Sequence, residues 1–506
     1  MRGRALVAVL AMVAVSACTQ APSIQATDRL KPCTGYDTPP DAYCGSLKVF
    51  ENRETKQGRQ IDLNIVLLPA LRADAQPDPL FFLAGGPGQG AAKLAPIVRE
   101  MFRRVQADRD IVLVDQRGTG KSNPLDCDQN DDDDSLASAV ETTEQTLARL
   151  KTCMAKYDAD LTQYTTTIAM DDLDDVRAFL GYERINVYGG SYGTRAALVY
   201  MRQHGDRVRT AILDGVAPTF MRLPLYFPRD TQRAFDRLIA DCAADAGCNA
   251  TYPNLGARAS ALMARLENTP PTVHVIHPRT GRPTDLKIDA RLFAGVMVFT
   301  LYQPAAAVLV PPIIAAAEKD DFQSMLALAS AAEGRGETNM SLGMQLSVIC
   351  AEDAPKNSAD ELAKEASSTL FGKYVMNVQT QACEFWPRGR VDASFSEPVQ
   401  SNIQTLVMSG ELDPVTPPTW GEQVARTLPN SRHVVMQGTG HTPGGSGCGQ
   451  RLMLNFIEKG TVQDLDTSCT TRVKRPAFFV SPAGPDPNRG SDGSSSAKAS
   501  GKGDGQ

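Results

Sequence analysis

The fold of this chain is decided by one short stretch, INVYGGSYG at residues 185–193. Its first part, 185–188, predicts a buried strand, and the segment TRAALVYMR that follows the stretch predicts a helix. Ser191 therefore lies at a strand-to-helix turn between Gly189 and Gly193, in the G-x-S-x-G pattern of a nucleophile elbow. Such a turn is sharp, so a side chain at either glycine would clash with neighbouring backbone. A tight loop with a capping serine is the alternative that the pentapeptide leaves open.

The composition is that of a globular protein with a large core or two lobes. The chain has 506 residues, of which 42% are hydrophobic and 22% are charged. The formal net charge of −6, without a long basic stripe, argues against a nucleic-acid partner. We expect no cofactor, and we expect a monomer.

The first residues, MRGRALVAVLAMVAVSAC at 1–18, have the pattern of a secretory signal. Two arginines precede an apolar run that is too short to span a membrane and that ends in small residues. The end of the run, VSAC, resembles a bacterial lipobox, in which Cys18 would be lipidated and would tether the protein to a membrane face. Ordinary cleavage at an A-x-A-like site is the alternative. Thr19 favours the outer membrane, and we expect residues 19–32 to be a polar tether.

Lipidation of Cys18 would leave ten cysteines, an even number, and an exported compartment favours disulfides. Sequence alone does not determine their connectivity, so the pairing of nearest neighbours is a prediction. The predicted pairs are Cys33–Cys44, Cys127–Cys153, Cys242–Cys248, Cys350–Cys383 and Cys448–Cys469. The cysteines and histidines lack the spacing of a zinc site, so we expect no bound metal.

Apolar runs separated by helical patterns predict a mostly parallel central sheet with helices on both faces. Strands at 45–51 and 60–68 are expected to open the chain as an antiparallel pair. The further predicted strands of the sheet lie at 79–83, 110–116, 185–188, 210–213, 403–409 and 432–436.

An inserted, mainly helical lid is predicted at 220–400, where only 273–277 has a strand pattern. The lid divides the core into two segments, 33–219 and 401–475. Residues 476–506 are rich in Gly, Ser, Pro and Lys, and we expect them to be a disordered tail.

A glycine loop, AGGPG at 84–88, follows the predicted strand at 79–83. It lacks the G-x-G-x-x-G spacing of a dinucleotide site. A loop of this kind suits an oxyanion hole instead, because bare backbone N–H groups can approach an anion closely. The predicted donors are the N–H groups of Gly86 and of Tyr192, which follows the nucleophile.

A second loop, RGTGKS at 117–122, ends like a phosphate-binding loop. Asp115 stands where the first glycine of that motif is required, and Pro124 blocks the helix that should follow. We therefore expect a tight structural loop here.

A serine nucleophile needs a base that takes its proton and an acid that orients the base. Of the five histidines, His441 lies on a glycine-rich loop after a predicted strand and completes the chain order Ser…Asp…His. Asp413 is the favoured acid, because the rigid turn PVTPP after it would hold its carboxylate. Asp214 and Glu411 are the alternatives.

Five motifs then occur in a single order. They are GGPG at 85–88, DQRGTGKS at 115–122, GGSYG at 189–193, GELDPVTP at 410–417 and GTGH at 438–441. Together they resemble the proline iminopeptidase and tripeptidyl aminopeptidase branch of the α/β-hydrolases, and the export signal with disulfides is more similar to the secreted tripeptidyl aminopeptidases.

This resemblance implies the α/β-hydrolase fold and the removal of short peptides from a free N-terminus. It also implies Ser191 as nucleophile, Asp413 as acid and His441 as base. Many members of the branch have His before GGPG, where this chain has Ala84. That departure concerns the hydrogen bonding of the loop and leaves the triad intact.

An exopeptidase must recognise the ammonium group of its substrate, which calls for carboxylates. Glu352 and Asp353 are the candidates, and a disulfide at Cys350 would hold them in place; solvated acids at a helix end are the alternative. The sequence thus predicts an exported serine hydrolase that acts on peptides through an acyl-enzyme at Ser191. An esterase or lipase on the same triad is one alternative, and an inactive surface binding protein is another.

Overall fold

The computed structural model describes residues 26–35, 38–126, 141–332, 340–481 and 483–486. Strands alternate with helices along most of this length. The strands are β1 Lys31–Pro32, β2 Tyr43–Phe50, β3 Gln60–Leu68, β4 Leu80–Leu83, β5 Ile111–Val114, β6 Ile185–Gly190, β7 Val208–Asp214, β8 Thr272–Ile276, β9 Pro283–Lys287, β10 Gln404–Gly410 and β11 Ser431–Met436.

A nine-stranded sheet has the order β1-β2-β3-β5-β4-β6-β7-β10-β11, and β8 pairs with β9 in a separate hairpin. The pairs among β1, β2, β3 and β5 are antiparallel. The pairs from β5 through β4, β6, β7 and β10 to β11 are parallel. The predicted sheet, mostly parallel with an antiparallel start, is confirmed.

The helices lie on both faces of this sheet and in an insertion between β7 and β10. They are α1 Ala95–Met101, α2 Arg103–Gln106, α3 Thr143–Met154, α4 Thr166–Leu180, α5 Tyr192–Gln203, α6 Phe227–Ala244, α7 Ala246–Thr251, α8 Leu255–Asn268, α9 Ala290–Leu301, α10 Pro304–Ala307, α11 Val310–Ala317, α12 Gln323–Ala332, α13 Leu342–Glu352, α14 Ala359–Ser367, α15 Gly372–Ala382, α16 Pro418–Ala425 and α17 Gly447–Lys459.

Strand β4 shows how the two faces are covered. All four of its residues are buried. Phe81 and Leu83 enter a hydrophobic cluster with α4 and α5, whereas Leu80 and Phe82 enter another with α1 and α17. Alternate residues of a strand point to opposite faces, so a strand that is apolar throughout requires a cover on each side.

The insertion packs in two parts. Helices α6, α8, α9 and α11 and the β8–β9 hairpin build a cluster of their own, which includes Phe235 and Phe293. Helix α13 and the chain after α15 pack into the cluster of the main sheet, through residues such as Ile349 and Trp386. One part of the predicted lid, 220–400, therefore has a core separate from the sheet, and another part shares the core of the sheet.

Both predicted terminal segments are partly ordered. Ala26 and Leu30, within the expected tether 19–32, are buried in the cluster of the main sheet. Phe478, beyond the expected boundary at 476, is buried in the cluster of the insertion. Single apolar residues within polar sequence therefore anchor both segments, and the boundaries themselves stay predictions. The predicted signal with Cys18 and the end of the tail, 487–506, lie outside the described residues.

Disulfides join four of the five predicted cysteine pairs. They are Cys33–Cys44, Cys242–Cys248, Cys350–Cys383 and Cys448–Cys469. The fifth predicted pair includes Cys127, which lies outside the described residues. Within the described ranges, the helices are all too short or too polar to cross a membrane.

Candidate active site

Ser191 lies on a strained turn between β6 and α5. Its φ of 57° and ψ of −124° are values that residues with a side chain rarely adopt. A Cβ added at Gly189 would lie 2.1 Å from the Gly193 carbonyl oxygen, and one added at Gly193 would lie 2.2 Å from the Leu83 carbonyl oxygen. The close backbone approach predicted for this turn therefore requires both glycines. Among the described residues, the Ser191 side chain caps no N–H of α5, so the alternative of a capping serine is wrong.

The strand register places the ends of β6, β7 and β10 side by side, next to Ser191. Gly190 pairs with Asp214 of β7, and Asp214 pairs with Met408 of β10. The Ser191 N–H donates to the Asp214 carbonyl oxygen at 2.9 Å. A Cβ added at Gly215 would lie 3.4 Å from His441 Cε1. The turn that carries Ser191 and the loop that carries His441 therefore lie on either side of the end of β7.

Asp413 and His441 are hydrogen-bonded neighbours. Asp413 follows the end of β10, and His441 follows β11, the adjacent strand. The distance from His441 Nδ1 to Asp413 Oδ2 is 2.8 Å. The fully buried Asp413 side chain also accepts, at Oδ1, the N–H groups of Val415 and Thr416 at 2.9 and 2.8 Å. The turn that we expected to hold this carboxylate thus supplies two of its donors.

The Thr416 hydroxyl is a further member of this group. Its Oγ1 donates to Asp413 Oδ2 at 2.6 Å and lies 3.1 Å from His441 Nδ1. Burial alone would raise the pKa of Asp413, but the nearby His441 and the hydrogen bonds from His441 and Thr416 outweigh burial and hold that pKa below its usual value. An ionised Asp413 accepts the Nδ1 proton of His441, which makes Nε2 the basic nitrogen of the ring.

The two alternative acids have other partners. Asp214 Oδ2 accepts the Tyr188 hydroxyl at 2.8 Å and the Gly444 N–H at 3.0 Å. Burial raises the pKa of Asp214 to about 7. Glu411 accepts the Gly438 N–H at 3.0 Å and pairs with Arg237 at 3.1 Å. Both carboxylates therefore fix the loops around the site, and Asp413 is the one bonded to the histidine.

The remaining histidines have structural partners. His204 lies 2.9 Å from Asp171, His274 lies 2.8 Å from Asp285, and His433 lies 2.9 Å from the Ser409 hydroxyl. His277 Nδ1 accepts the N–H groups of Arg279 and Thr280, each at 3.2 Å.

The glycine loop after β4 lies against Ser191. Leu83 pairs with Gly189, and a Cβ added at Gly85 would lie 3.2 Å from Ser191 Cβ. The Gly85 N–H is already engaged, since it donates to Gln89 Oε1 at 3.2 Å. Gly86 has a φ of 108°, in the region that favours glycine. Tyr192 is the first residue of α5, where N–H groups point out of the helix.

The insertion contacts His441 through Tyr302, at the end of α9. The His441 N–H donates to the Tyr302 carbonyl oxygen at 3.0 Å, and the two rings meet edge to face with centroids 4.9 Å apart. A Cβ added at Gly440 would lie 2.2 Å from the same carbonyl oxygen. Sequence reasoning missed Tyr302, although Gly440 beside His441 was a signal for close backbone approach.

Helix α6 of the insertion also holds the loop that carries Asp413. Arg233 donates to the carbonyl oxygens of Asp413 at 2.6 Å and Glu411 at 3.2 Å. The Thr231 hydroxyl donates to the Pro414 carbonyl oxygen at 3.2 Å. Two separate helices of the insertion thus bind the two loops that supply the acid and the histidine.

Glu352 and Asp353 do not lie on an accessible surface in this structure. Both are fully buried at the end of α13, beside Arg195 of α5. Arg195 Nη1 lies 2.8 Å from Asp353 Oδ2 and 3.4 Å from Glu352 Oε2. The Thr166 N–H donates to Glu352 Oε1 at 2.7 Å, and burial raises the pKa of Glu352 to about 7. Sequence reasoning missed Arg195, because its partners are far away along the chain.

The loop at 117–122 is a tight structural loop, as predicted. Asp115 accepts the N–H groups of Ala92 at 2.8 Å and Lys121 at 3.0 Å. A Cβ added at Gly120 would lie 2.2 Å from Asp115 Oδ2. The carboxylate therefore holds the loop tightly against the end of β5.

Two family models match the chain. One, described as alpha/beta hydrolase fold, matches residues 78–252, and the other, described as TAP-like protein, matches residues 367–469. The chain is 27% identical to Serine protease Hip1 of Mycobacterium tuberculosis over 464 residues, which cover 85% of this chain and 88% of that protein.

A shorter likeness extends to proline iminopeptidases. The enzyme from Neisseria gonorrhoeae is 30% identical over 138 residues, or 27% of this chain and 32% of that protein. Among solved structures, the proline iminopeptidase of Mycobacterium smegmatis superposes with a TM-score of 0.37 and 17% identity, and the match covers 82% of this chain and 98% of that one.

Proposed function

Because this chain is a serine hydrolase of the α/β family, related to the protease Hip1 and to proline iminopeptidases, we propose that it is an exported aminopeptidase. It releases short peptides from free N-termini, with Ser191 as nucleophile, His441 as base and Asp413 as the acid that orients the base. The observation that carries this proposal is the 2.8 Å contact between His441 Nδ1 and Asp413 Oδ2, on loops that adjoin the strained Ser191 turn.

The proposed reaction has two halves. In the first, Ser191 Oγ attacks the carbonyl carbon of the scissile bond and its proton passes to His441 Nε2. His441 then gives that proton to the leaving nitrogen, and the C–N bond breaks to leave an acyl-enzyme. In the second, His441 takes a proton from water and the hydroxide attacks the ester carbon. The bond between that carbon and Ser191 Oγ then breaks, the peptide leaves with a new carboxyl group, and His441 returns the proton to Ser191 Oγ.

The negative oxygen formed in each half needs hydrogen-bond donors. The proposed donors are the backbone N–H groups of Gly86 and Tyr192. On the glycine loop, Gly86 is favoured over Gly85 as the donor, because the Gly85 N–H already donates to Gln89 Oε1. Tyr192 is supported by its place at the N-terminus of α5, where the helix dipole favours negative charge.

The amine-binding role of Glu352 and Asp353 stays a prediction. Both side chains are fully buried beside Arg195, so direct contact with a substrate requires a rearrangement at that arginine. Glu352→Gln tests the role with peptides that differ only in N-acetylation. A lost preference for the free amine supports it, whereas equal losses on both peptides would show that the pair only supports the fold.

The function itself is tested with the wild-type protein and Ser191→Ala on three fluorogenic substrates: Ala-Ala-Pro-amide with a free amine, its N-acetylated form, and a short-chain ester. We expect turnover of the free-amine peptide, reduced in the variant by about 10⁴-fold or more. Equal cleavage of free and acetylated peptides would contradict an aminopeptidase, and turnover of the ester alone would indicate an esterase. A Ser191 that no fluorophosphonate labels would overturn the hydrolase mechanism.

We also propose that the protein is exported and anchored through a lipid on Cys18. Four disulfides support an oxidising compartment, and the first 18 residues have the signal pattern. Expression of the full chain in a Gram-negative host should place the wild type in the membrane fraction and Cys18→Ala in the soluble fraction. Membrane association that survives this substitution would exclude the lipid anchor.

A further inference from the structure

Helix α9 presents an apolar stripe to the outside. Val298 and Phe299 lie three and four residues after Gly295, and Tyr302 lies four and three residues after them, so all four share one face of the helix. Phe299 is 64% exposed, and Val298 and Tyr302 are partly exposed. A Cβ added at Gly295 would meet nothing within 4 Å. The opposite face of α9, which includes Phe293, is buried in the cluster of the insertion.

This stripe ends at the histidine of the site. The Phe299 ring stacks on the Tyr302 ring, with centroids 5.9 Å apart and an interplanar angle of 29°. The Tyr302 ring then meets the His441 ring at 4.9 Å. Phe299, Tyr302 and His441 thus form a continuous row of rings, from the exposed side of α9 to the proposed base.

An exposed aromatic ring is unusual in this protein. The large hydrophobic residues exposed among the described ranges are Leu71, Ile97, Ile276 and Phe299. Phe299 is the most exposed of these at 64%, and the Tyr302 ring connects it to His441. Apolar surface that stays open to water beside a reaction centre is typical of a substrate site.

We propose that the stripe on α9 binds the part of the peptide on the leaving side of the scissile bond, and that Tyr302 and Phe299 contact an apolar side chain on its first residue. This inference rests on the proposed peptidase function. His441 gives its proton to the leaving nitrogen, so the residue that carries this nitrogen must lie next to the imidazole ring. Tyr302 occupies that neighbourhood, and Phe299 extends it away from Ser191.

The length of the stripe indicates how much of the leaving chain it covers. Helices rise 1.5 Å per residue, so Gly295 and Tyr302 are roughly 10 Å apart along α9. An extended peptide rises about 3.3 Å per residue and covers that distance with about three residues. The stripe is uncharged, so apolar or small side chains on the leaving chain fit it best.

The test uses two hexapeptide amides with free N-termini, Ala-Ala-Pro-Leu-Gly-Lys and Ala-Ala-Pro-Gly-Gly-Lys, which differ only in the first leaving residue. The measured quantity is the ratio of kcat/KM for the Leu peptide to that for the Gly peptide. We expect the wild type to prefer Leu and Phe299→Ala to lower the ratio about fivefold, as the loss of part of one apolar contact predicts. Phe299→Leu, which keeps an apolar side chain, should retain most of the preference.

Ile276→Ala is the matched control, because Ile276 is a 47% exposed apolar residue of the same insertion, on the β8–β9 hairpin. Its ratio should equal that of the wild type. Equal ratios for Phe299→Ala and the wild type would overturn the inference while leaving the peptidase function intact. Failure of the wild type to cleave either peptide, with Ser191 still labelled by a fluorophosphonate, would overturn the peptidase function and this inference with it.

Discussion

At the scale of single residues, Asp413 is held from several sides. Its carboxylate accepts two backbone N–H groups, the Thr416 hydroxyl and His441 Nδ1. A carboxylate with so many donors cannot rotate away from the histidine, and its charge fixes the tautomer of the ring. The direction of the Asp413 carboxylate is therefore set by the turn that follows it.

Thr416→Val tests whether the hydroxyl contributes to this arrangement. Valine keeps the shape but loses the 2.6 Å hydrogen bond to Asp413 Oδ2. We expect kcat to fall about tenfold with little change in KM, because the loss affects the proton transfer and not substrate contact. Thr219→Val is the control, since its buried hydroxyl donates to the Glu397 carbonyl oxygen away from the triad. A normal kcat for Thr416→Val would show that the backbone donors suffice.

Asp214 predicts a dependence of stability on pH. Burial raises its pKa to about 7 in the folded protein, whereas an unfolded Asp titrates near 3.9. At a pH between these two pKa values, folding is therefore accompanied by the uptake of a proton. The free energy of unfolding falls as the pH rises through this range. Asp214→Asn removes this ionisation, and its amide oxygen can still accept from Tyr188 and Gly444.

When the pH is raised from 5 to 8, the wild type should thus lose free energy of unfolding relative to Asp214→Asn. This relative loss is on the order of a few kcal/mol. Urea unfolding at both pH values measures it. Other groups with raised pKa values, such as Glu352, are present in both proteins and cancel. An identical difference at both pH values would contradict a raised pKa for Asp214.

At the scale of elements, helix α13 is held at both ends. At its start, the Ser341 N–H donates to the Gly88 carbonyl oxygen at 2.9 Å, beside the proposed oxyanion loop. At its other end, Cys350 is bonded to Cys383, 33 residues further along the chain. The disulfide therefore fixes the end of α13, beside Glu352 and Asp353, to the end of α15.

The disulfides differ in the length of chain that they close. Replacing Cys350 and Cys383 by alanine opens a loop of 33 residues, and the same change at Cys242 and Cys248 opens one of 6 residues. Chain entropy predicts losses of about 4 and about 2 kcal/mol in the free energy of unfolding, respectively. Denaturant unfolding of the two double variants measures the losses. Equal losses would show that strain or residual structure outweighs loop length.

How well the elements were predicted depended on their apolar content. The strand at 60–68 was predicted to the residue, because the face that it turns to the hydrophobic core is apolar throughout. The partner of β8 was missed, because β9, with the sequence PTDLK, buries only Leu286. Helices α12, α13 and α15 lie within 220–400, which was predicted only as mainly helical, without their individual bounds. The α13 helix is buried almost all round, so it has no polar face to reveal its period.

The neighbourhood of the site was predicted only where it follows from strand ends. Asp413 and His441 both follow parallel strands, and such strands end at one edge of a sheet. Tyr302 and Arg195 make their contacts across the insertion, where no local pattern records a partner. The roles of Ser191, Asp413 and His441 in a reaction stay predictions that the substitutions above decide.

At the scale of the whole molecule, the insertion and the main sheet share the site. Arg233 of α6 donates to the carbonyl oxygens of Asp413 and Glu411, and the Tyr302 carbonyl oxygen accepts from His441. The acid and the histidine are therefore both supported by chain that lies outside the sheet.

Arg233→Met should lower kcat/KM about tenfold, because it frees the loop that carries Asp413 and misplacement of a catalytic group is costly. Arg237→Met, one turn later on the same helix, is the control. Its side chain is about half exposed, at 49%, and pairs with Asp241 and Glu411. Exposed pairs contribute little, so we expect less than about a twofold change. A comparable loss in both variants would point to a general weakening of α6.

The hydrogen bond from the His441 N–H to the Tyr302 carbonyl oxygen has a consequence for turnover. Any motion that lifts the end of α9 away from the sheet breaks this bond and releases the backbone of the base. If substrate enters through such a motion, its peptide bond cannot be cleaved while the site is open. The open form would be inactive. The hydrogen bond between His441 and Tyr302 would have to form again in each catalytic cycle.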